Sequence, residues 1–400
     1  MSSRRSSFRL HRRAARRGGI ALIALLAAPA AAVDAPEVLR YDLFSGRRVG
    51  SAGEMDLAVA GDGHVLLGWT VYRPAEKREE ARVRWLSPDG LPASEPIQVD
   101  HRGYLRTLAA RPGHHALVVS SALPPERGSW LNFLTPAGVA GRVHADEIGC
   151  DYPEVVTATG DGYFLTCLDF QTGMTEAVWL DDEPLGVRGR ELLGYIDGIA
   201  AAGGPRTTVA VVFRDGDGSL FARWMSIWRR EAAVPLDAAG SNASVAQLRD
   251  GVFGVAWVHE YARSSDPDEE RALTGVHAAT FREPGVVRHA RRFSPVSGTA
   301  DEATGEQRRP RLFPTAPKKQ VLGWFGCSYQ GSPGGLFCPE DDGLFLRDRI
   351  AARPSGAILE LPQVPAGARV GFTGELLIAT RLERRPDDLW DLEVLGFRLE

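Results

Sequence analysis

Charged residues, and one asparagine, stand at the start of several short apolar segments along this 400-residue chain. The residues in these positions are Glu54, Asp56, Arg106, Glu154, Asp197, Asn242, Arg309, Arg311 and Arg369. Two carboxyl groups about 5 or 6.5–9.5 Å apart can act as acid and base, or as acid and nucleophile, in glycoside hydrolysis. Arginine can bind a carboxylate or a phosphate through two parallel hydrogen bonds. If the fold gathers these residues, they form either a polar binding site or a set of compensating ion pairs, and the ion pairs are the simpler expectation.

Other motifs that could do chemistry are incomplete. The segment "GCSYQG" at 326–331 has its second glycine one residue too late for a G-x-S-x-G nucleophile elbow. His259-Glu260 lacks the second histidine of H-E-x-x-H. The acidic turns "DGDGS" (215–219) and "DPDEE" (266–270) could hold Ca²⁺, but neither completes an EF-hand loop. We therefore expect no catalytic metal and no cofactor, with Ca²⁺ as the one cation that these turns could bind.

The elements that carry the charged residues repeat along the chain. Each unit has a short alternating strand, a tight turn with Gly or Asp-Gly, and an apolar strand, which together indicate a β-hairpin. Examples are "DLAVAGDGHVLLGWTVY" from Asp56, "EVVTATGDGYFLTCLDF" from Glu154 and "ASVAQLRDGVFGVAWVH" from Ala243. A second pair of strands with period-two alternation follows, as in "RVRW" and "LFARW". Four strands every 43 to 67 residues is the spacing of a β-propeller.

We predict an all-β fold, a single β-propeller of seven four-stranded blades, with six or eight as the neighbouring counts. The predicted blades lie near 54–100, 104–146, 151–195, 196–240, 242–296, 305–362 and 366–400. The seventh unit has only three strands of its own, so residues 37–49 are expected to supply the fourth and close the ring. A β-sandwich or two separate β-domains are the alternatives, but neither requires one unit to recur along the whole chain.

The unit resembles the degenerate blade repeat of exported bacterial seven-bladed propellers, in which "DG", a Val-rich strand ending in Trp, and "DG" or "PxG" recur. The resemblance covers nearly all of residues 37–400. The "GH…WD" pair of WD40 repeats, the double glycine of kelch repeats and the S-x-D-x-G-x-T-W box of sialidases are absent from the sequence. The resemblance therefore implies a fold and carries over no catalytic residue.

The first 32 residues have the pattern of a secretory signal peptide. Seven arginines within residues 1–17 precede the short apolar stretch "GGIALIALLAAPAAAV", which ends in small residues. Cleavage would leave 40 basic against 51 acidic residues in 33–400, and so acidic a protein is a poor nucleic-acid ligand. We expect a periplasmic or extracellular protein without a membrane span, either a monomer or a component of an envelope assembly. The export route, Sec or twin-arginine, is left open.

Four cysteines in an exported chain predict two disulfides, for which three pairings are possible. The nearest-neighbour pairing, Cys150 with Cys167 and Cys327 with Cys338, is preferred here. A structural zinc site is not expected, since the cysteines form no paired C-x-x-C motifs.

Long polar insertions fall mostly between the second and third strands of a blade, or between blades. They are 73–81, 123–129, 260–275, 297–309, 328–343 and 383–388. In a propeller these connections share one face, and function usually resides in loops placed by a rigid scaffold.

The leading hypothesis is therefore a non-enzymatic binding or scaffolding propeller that engages a protein or a cell-surface glycan through this face. The alternative is a carbohydrate-active hydrolase or lyase that uses carboxylates at the channel mouth. A third reading is a Ca²⁺-stabilised module of an envelope assembly.

Overall fold

The computed structural model describes residues 38–46, 55–73, 76, 78–122, 128–182, 186–249, 251–263, 272–282, 286–293, 307–314, 319–326, 330–332, 335–337, 343–350, 353–365, 367–384 and 390–398. Predictions that concern other residues, including the signal peptide, fall outside these ranges. Residues 37–400 form one compact unit. No helix within the described ranges is long and apolar enough to cross a membrane.

The unit is built from seven antiparallel sheets that follow one another along the chain. The strands of blades one to three are β2 (Met55–Val59), β3 (Val65–Arg73), β4 (Arg78–Leu86), β5 (Ile97–Asp100); β6 (Gly103–Arg111), β7 (His115–Ala122), β8 (Gly128–Thr135), β9 (Gly138–His144); and β10 (Tyr152–Thr159), β11 (Gly162–Leu168), β12 (Thr175–Leu180), β13 (Val187–Gly194). A short 3-10 helix, Ala145–Ile148, joins blades two and three.

Blades four to six follow the same order with two local variations. Their strands are β14 (Ile196–Gly203), β15 (Val209–Asp215), β16 (Leu220–Ser226), β17 (Arg229–Arg230), β18 (Val234–Asp237); β19 (Gly240–Arg249), β20 (Val252–Arg263), β21 (Ala272–Arg282), β22 (Val286–Arg292); and β23 (Gln307–Pro314), β24 (Lys319–Gly326), β25 (Gln330–Ser332), β26 (Gly335–Phe337), β27 (Leu344–Ile350), β28 (Arg353–Leu361). In blade four the outermost strand is split into β17 and β18, which both pair with β16. In blade six the small hairpin β25–β26 lies between β24 and β27.

The seventh blade joins the two ends of the described chain. It contains β29 (Val370–Phe372), β30 (Leu376–Arg384) and β31 (Trp390–Arg398), and its outermost strand is β1 (Val38–Gly46). Strand β1 pairs with β31 from Val38↔Phe397 to Gly46↔Trp390. The innermost strand of each blade contacts the innermost strand of the next blade, from β2 through to β29, and β29 in turn contacts β2. This arrangement confirms the predicted seven-bladed propeller and its closure by the N-terminal strand.

The hydrophobic core is divided into clusters, one between each pair of neighbouring blades. Strand β3 shows why the second strand of a blade is a nearly continuous apolar run. Val65, Leu67 and Trp69 pack toward blade seven, whereas Leu66 packs toward blade two. Both faces of the strand are buried, because successive side chains point to opposite faces.

Two of the predicted insertions are strand at both of their ends. The hairpin of β3 and β4 continues to the pair Arg73↔Arg78, and that of β20 and β21 continues to Arg263↔Ala272. The expectation of loops over 73–81 and 260–275 is therefore wrong at the ends of both segments. Backbone pairing continues beyond the apolar core, where the hydrophobic alternation that indicated the strands is lost.

Candidate functional site at the channel mouth

The innermost strands surround a central cavity of about 1030 Å³. Its wall is formed by small and apolar side chains, such as Ala58, Ala109 and Val245. Asp56, Glu154, Arg311 and Arg369 line it at the end where the inner strands begin. These four of the sequence-predicted residues therefore lie at one mouth of the channel, on the face that carries the connections between second and third strands and between blades. We call this the loop face.

The inner strands of blades two to six each contain a β-bulge near their first residues. The register shifts lie between Leu105 and Thr107, Pro153 and Val156, Asp197 and Ala200, Ser241 and Ser244, and Arg308 and Arg311. Arg106, Glu154, Asn242 and Arg309 lie within these shifts, and Asp197 and Arg311 flank them. A bulge inserts a residue that is unpaired in the ladder and redirects its side chain. The repeated bulges therefore coincide with six of the predicted polar residues, at the start of the inner strands.

Asp56 and Arg369 act mainly between blades. The Asp56 carboxylate accepts hydrogen bonds from the Leu57 amide (2.9 Å), the Thr107 hydroxyl (3.1 Å) and the Leu108 amide (3.1 Å), the last two in blade two. Arg369 Nε donates to the Met55 carbonyl (2.9 Å) and lies 4.0 Å from the Asp56 carboxylate. Burial raises the pKa of Asp56, and Arg369 and the hydrogen bonds oppose this shift. These contacts join blades seven, one and two.

In blades two and three, the polar residues of the mouth lie beside aromatic rings. The Arg106 guanidinium stacks 3.6 Å above the centre of the Tyr152 ring, and Phe170 meets Tyr152 edge to face, with centroids 4.9 Å apart. Phe170 is 66% exposed. Glu154 lies two residues after Tyr152, and burial raises its pKa, with Asp197 acting in the same direction and Arg106 opposing. This part of the mouth combines exposed aromatic surface with a carboxylate that is only partly compensated.

Asp197 and Tyr195 extend this group into blade four. The Asp197 side chain is 84% exposed and lies 4.0 Å from Arg214. Tyr195, in the connection between blades three and four, is 62% exposed. Its ring lies against the 169–174 turn, since a Cβ atom added at Gly173 would be 3.6 Å from it. Tyr152 thus contacts Phe170, and Tyr195 lies against the turn that carries Phe170; we call these three residues the aromatic row.

The other predicted site residues are Asn242, Arg311, Arg309 and Glu54. Asn242 is exposed and adopts a left-handed conformation (φ 48°) in its bulge, a conformation that asparagine tolerates better than most residues. Arg311 is exposed at the mouth. Arg309 lies in β23, but its side chain is outside the described set, and so is Glu54.

A disulfide supports the aromatic row. Cys150 is bonded to Cys167, as predicted, and both are buried. Cys167 pairs with Pro153 in the ladder between β10 and β11, so the bridge lies beside the strand that carries Tyr152 and Glu154. The predicted bridge between Cys327 and Cys338 falls outside the described residues.

The turn that carries Phe170 is also held by hydrogen bonds. The Asp169 carboxylate accepts from the Gln171 amide (2.7 Å), the Thr172 amide (3.3 Å) and the Thr172 hydroxyl (2.6 Å). These bonds lower the pKa of Asp169. Disulfide and turn together preorganise the row, which reduces the entropy lost when a ligand binds.

Two aspartates, each three residues before a glycine, link neighbouring blades, and the sequence analysis missed them. Asp100 in "DHRG" accepts from the Ser120 hydroxyl and from Arg142 of blade two, each at 2.8 Å. Asp237 in "DAAG" contacts His259 Nδ1 at 2.8 Å and accepts from Trp257 Nε1 at 2.5 Å, both in blade five. The repeated Asp-x-x-Gly spacing at 100–103 and 237–240 is the signal that could have identified these links between blades.

A histidine pair lies beside the Asp237 link. His259 and His277 have ring centroids 5.2 Å apart, and Tyr261 Oη is 2.7 Å from His277 Nε2. Burial lowers the pKa of His277, and the charges of His259 and Arg292 act in the same direction.

The acidic turn at 215–219 is stabilised by its own side chain. The Asp215 carboxylate of "DGDGS" accepts from the Asp217 amide (3.1 Å) and the Ser219 amide (3.0 Å), as expected of a turn that its own side chain stabilises. The segment 266–270 is outside the described ranges. No group of three or more potential metal ligands is found among the residues that the structure describes.

No protein-family model matches the chain, and no curated protein matches it. Solved structures are similar in fold. The β-propeller domain of the Trilobed protease from Pyrococcus furiosus has a TM-score of 0.49 and 8% identity, covering 89% of this chain and 97% of that one. A chain of the mitotic checkpoint complex has a TM-score of 0.49 and 10% identity, covering 96% and 99%. A protein of unknown function from Dyadobacter fermentans has a TM-score of 0.42 and 11% identity, covering 92% and 100%. At these levels the likeness has no bearing on ligand, chemistry or partners.

Proposed function

We propose that the chain is a binding or scaffolding propeller that engages a protein or a glycan through its loop face, at the aromatic row. The proposal rests on the position of the exposed aromatic side chains. Phe170, Tyr195 and Tyr261 (41% exposed) all lie on the loop face, whereas the 86%-exposed Trp228 lies in a turn on the opposite face. Aromatic side chains are enriched at binding surfaces, since they bury a large area at low entropic cost.

The proposed site of action is the periplasm or the cell exterior. The Arg-rich N-terminal segment with its short apolar stretch supports export, and the Cys150–Cys167 disulfide is compatible with an oxidising compartment. The protein would act as a monomer or within an envelope assembly.

A capture experiment with matched variants tests the proposal. The purified chain, the double variant Phe170→Ala/Tyr195→Ala and the control Trp228→Ala are crosslinked in a native envelope extract, and the captured protein and carbohydrate are quantified. We expect a ligand that wild type and Trp228→Ala both retain and that the double variant loses. The same captured material with all three proteins would refute the site.

Hydrolase or lyase chemistry is the second candidate, and it is favoured by one observation. Glu154 is a half-buried carboxyl group with a raised pKa, and the carboxylate of Asp197 is close enough to contribute to the shift. General acids are commonly tuned in this way. The hydrogen bonds of Asp56 to blade two engage that residue in structure, so Glu154 and Asp197 form the pair to test. Glycan cleavage that Glu154→Gln abolishes would establish this activity, whereas glycan binding without cleavage would exclude it.

A further inference from the structure

The aromatic row offers ring surfaces next to hydrogen-bond acceptors. Phe170 is exposed within the 169–174 turn, and Tyr195 is exposed against the same turn at Gly173. Glu154 follows Tyr152 by two residues, Asp197 follows Tyr195 by two residues, and the two carboxyl groups interact electrostatically. Tyr152 is fixed between the Arg106 guanidinium and Phe170. The aromatic row thus combines two exposed rings, a third ring held by two contacts, and two carboxyl groups close in sequence to those rings.

We infer that the aromatic row binds a neutral oligosaccharide, an assignment that rests on the binding function proposed above. Pyranose rings have an apolar C–H face that stacks on aromatic rings, and their hydroxyl groups donate hydrogen bonds to carboxylates. The hydroxyl donors would stabilise the half-buried Glu154 carboxylate, which burial disfavours. The ligand chemistry therefore matches both parts of the row.

Charge selects against acidic sugars. The carboxyl groups of Glu154 and Asp197 interact here, and the guanidinium that acts in the opposite sense on Glu154, that of Arg106, is stacked on Tyr152. A uronate or sialate would bring a further acidic group beside these two, and like charges in a partly desolvated site repel. A neutral sugar carries no such cost.

The shape of the row favours a glycan over a protein partner. A stable protein interface buries about 800 Å² per partner around an apolar core. Here the exposed rings belong to one short turn and to a residue packed against it, and Glu154, which interacts with Asp197, lines the central cavity. So small an aromatic surface with carboxyl groups nearby suits sugar rings better than the core of a protein interface.

Calorimetric titration with defined probes tests this inference. The probes are cellotetraose, maltotetraose and N-acetylchitotetraose as neutral chains, tetragalacturonate as an anionic chain, and tetralysine as a cationic peptide. We expect at least one neutral chain to bind and tetragalacturonate not to bind. Phe170→Ala and Tyr195→Ala should each weaken binding about tenfold, whereas Trp228→Ala should leave it unchanged. All three side chains are exposed, so unchanged melting temperatures serve as the folding control.

The outcomes separate this inference from the proposed function. Absence of binding by every neutral chain, or tighter binding of tetragalacturonate or tetralysine, would overturn the oligosaccharide assignment. If an envelope protein were nevertheless captured and lost in Phe170→Ala/Tyr195→Ala, the proposed function would stand without it. Neutral-chain binding that Trp228→Ala weakens as much as Phe170→Ala would overturn the placement on the loop face.

Discussion

Asp100 lies buried between blades one and two, and its replacement by alanine should lower stability measurably. Its side chain is 0% exposed and accepts hydrogen bonds from Ser120, Arg142 and the Arg102 amide. Asp100→Ala would leave the Arg142 guanidinium without its carboxylate. Removal of one partner of a buried ion pair costs about 3–5 kcal/mol. Since Arg142 remains 26% exposed and can be partly hydrated, we expect the lower end, about 3 kcal/mol.

The expected change in melting temperature follows from the size of the unit. Unfolding entropy is about 2.1 cal/mol/K per residue, or about 0.8 kcal/mol/K for residues 37–400. A loss of about 3 kcal/mol therefore corresponds to a Tm lower by about 4 °C, measured by scanning calorimetry. The control is Asp182→Ala, which removes a half-exposed carboxylate paired with Arg111 and should shift Tm by about 1 °C or less. Equal shifts for the two variants would refute the assignment of Asp100 as a buried link between blades.

Three further predictions concern other parts of the structure. Glu154→Gln should raise Tm at neutral pH, because burial penalises the ionised wild-type carboxylate. The difference in Tm should vanish as the pH falls below 4.5, the ordinary pKa of a glutamate side chain, and a constant difference across pH would contradict this prediction. Replacing Cys150 and Cys167 by serine should lower the free energy of unfolding by about 3 kcal/mol, as expected for a bridge with a sequence separation of 17. An unchanged midpoint in denaturant unfolding would contradict this estimate. Gly103→Ala should destabilise by about 1–3 kcal/mol, because its Cβ would lie 2.6 Å from the Asp100 carboxylate; a circular-dichroism melt equal to wild type would show that the site can relax.

The architecture could be predicted because each of its signals is local. Period-two alternation and apolar second strands recur along the chain, with a glycine in most of the hairpin turns, so seven hairpins indicate seven blades. The N-terminal strand at 38–46 follows from the same count, since the last unit lacks one strand. The Cys150–Cys167 bridge joins the segment just before β10 to β11, its partner in the same hairpin, which is why the nearest-neighbour pairing identified it.

The site could be predicted only in part, because its geometry depends on register and on contacts between distant segments. The sequence places Arg106 and Glu154 at the mouth, but the bulges that redirect them are a property of pairing between strands. Tyr152 and Phe170 come together because a strand start and a turn meet on the loop face, and no spacing pattern predicts that contact. The sequence likewise gave no indication that Asp56 bonds to blade two.

Site-directed photocrosslinking tests the central claim, binding at the aromatic row, most directly. Benzoyl-phenylalanine would replace Phe170 in one protein and Trp228 in another, and both would be irradiated in the native envelope. The account predicts a ligand adduct from position 170 and none from position 228. Adducts at equal yield from both positions, or from position 228 alone, would contradict it.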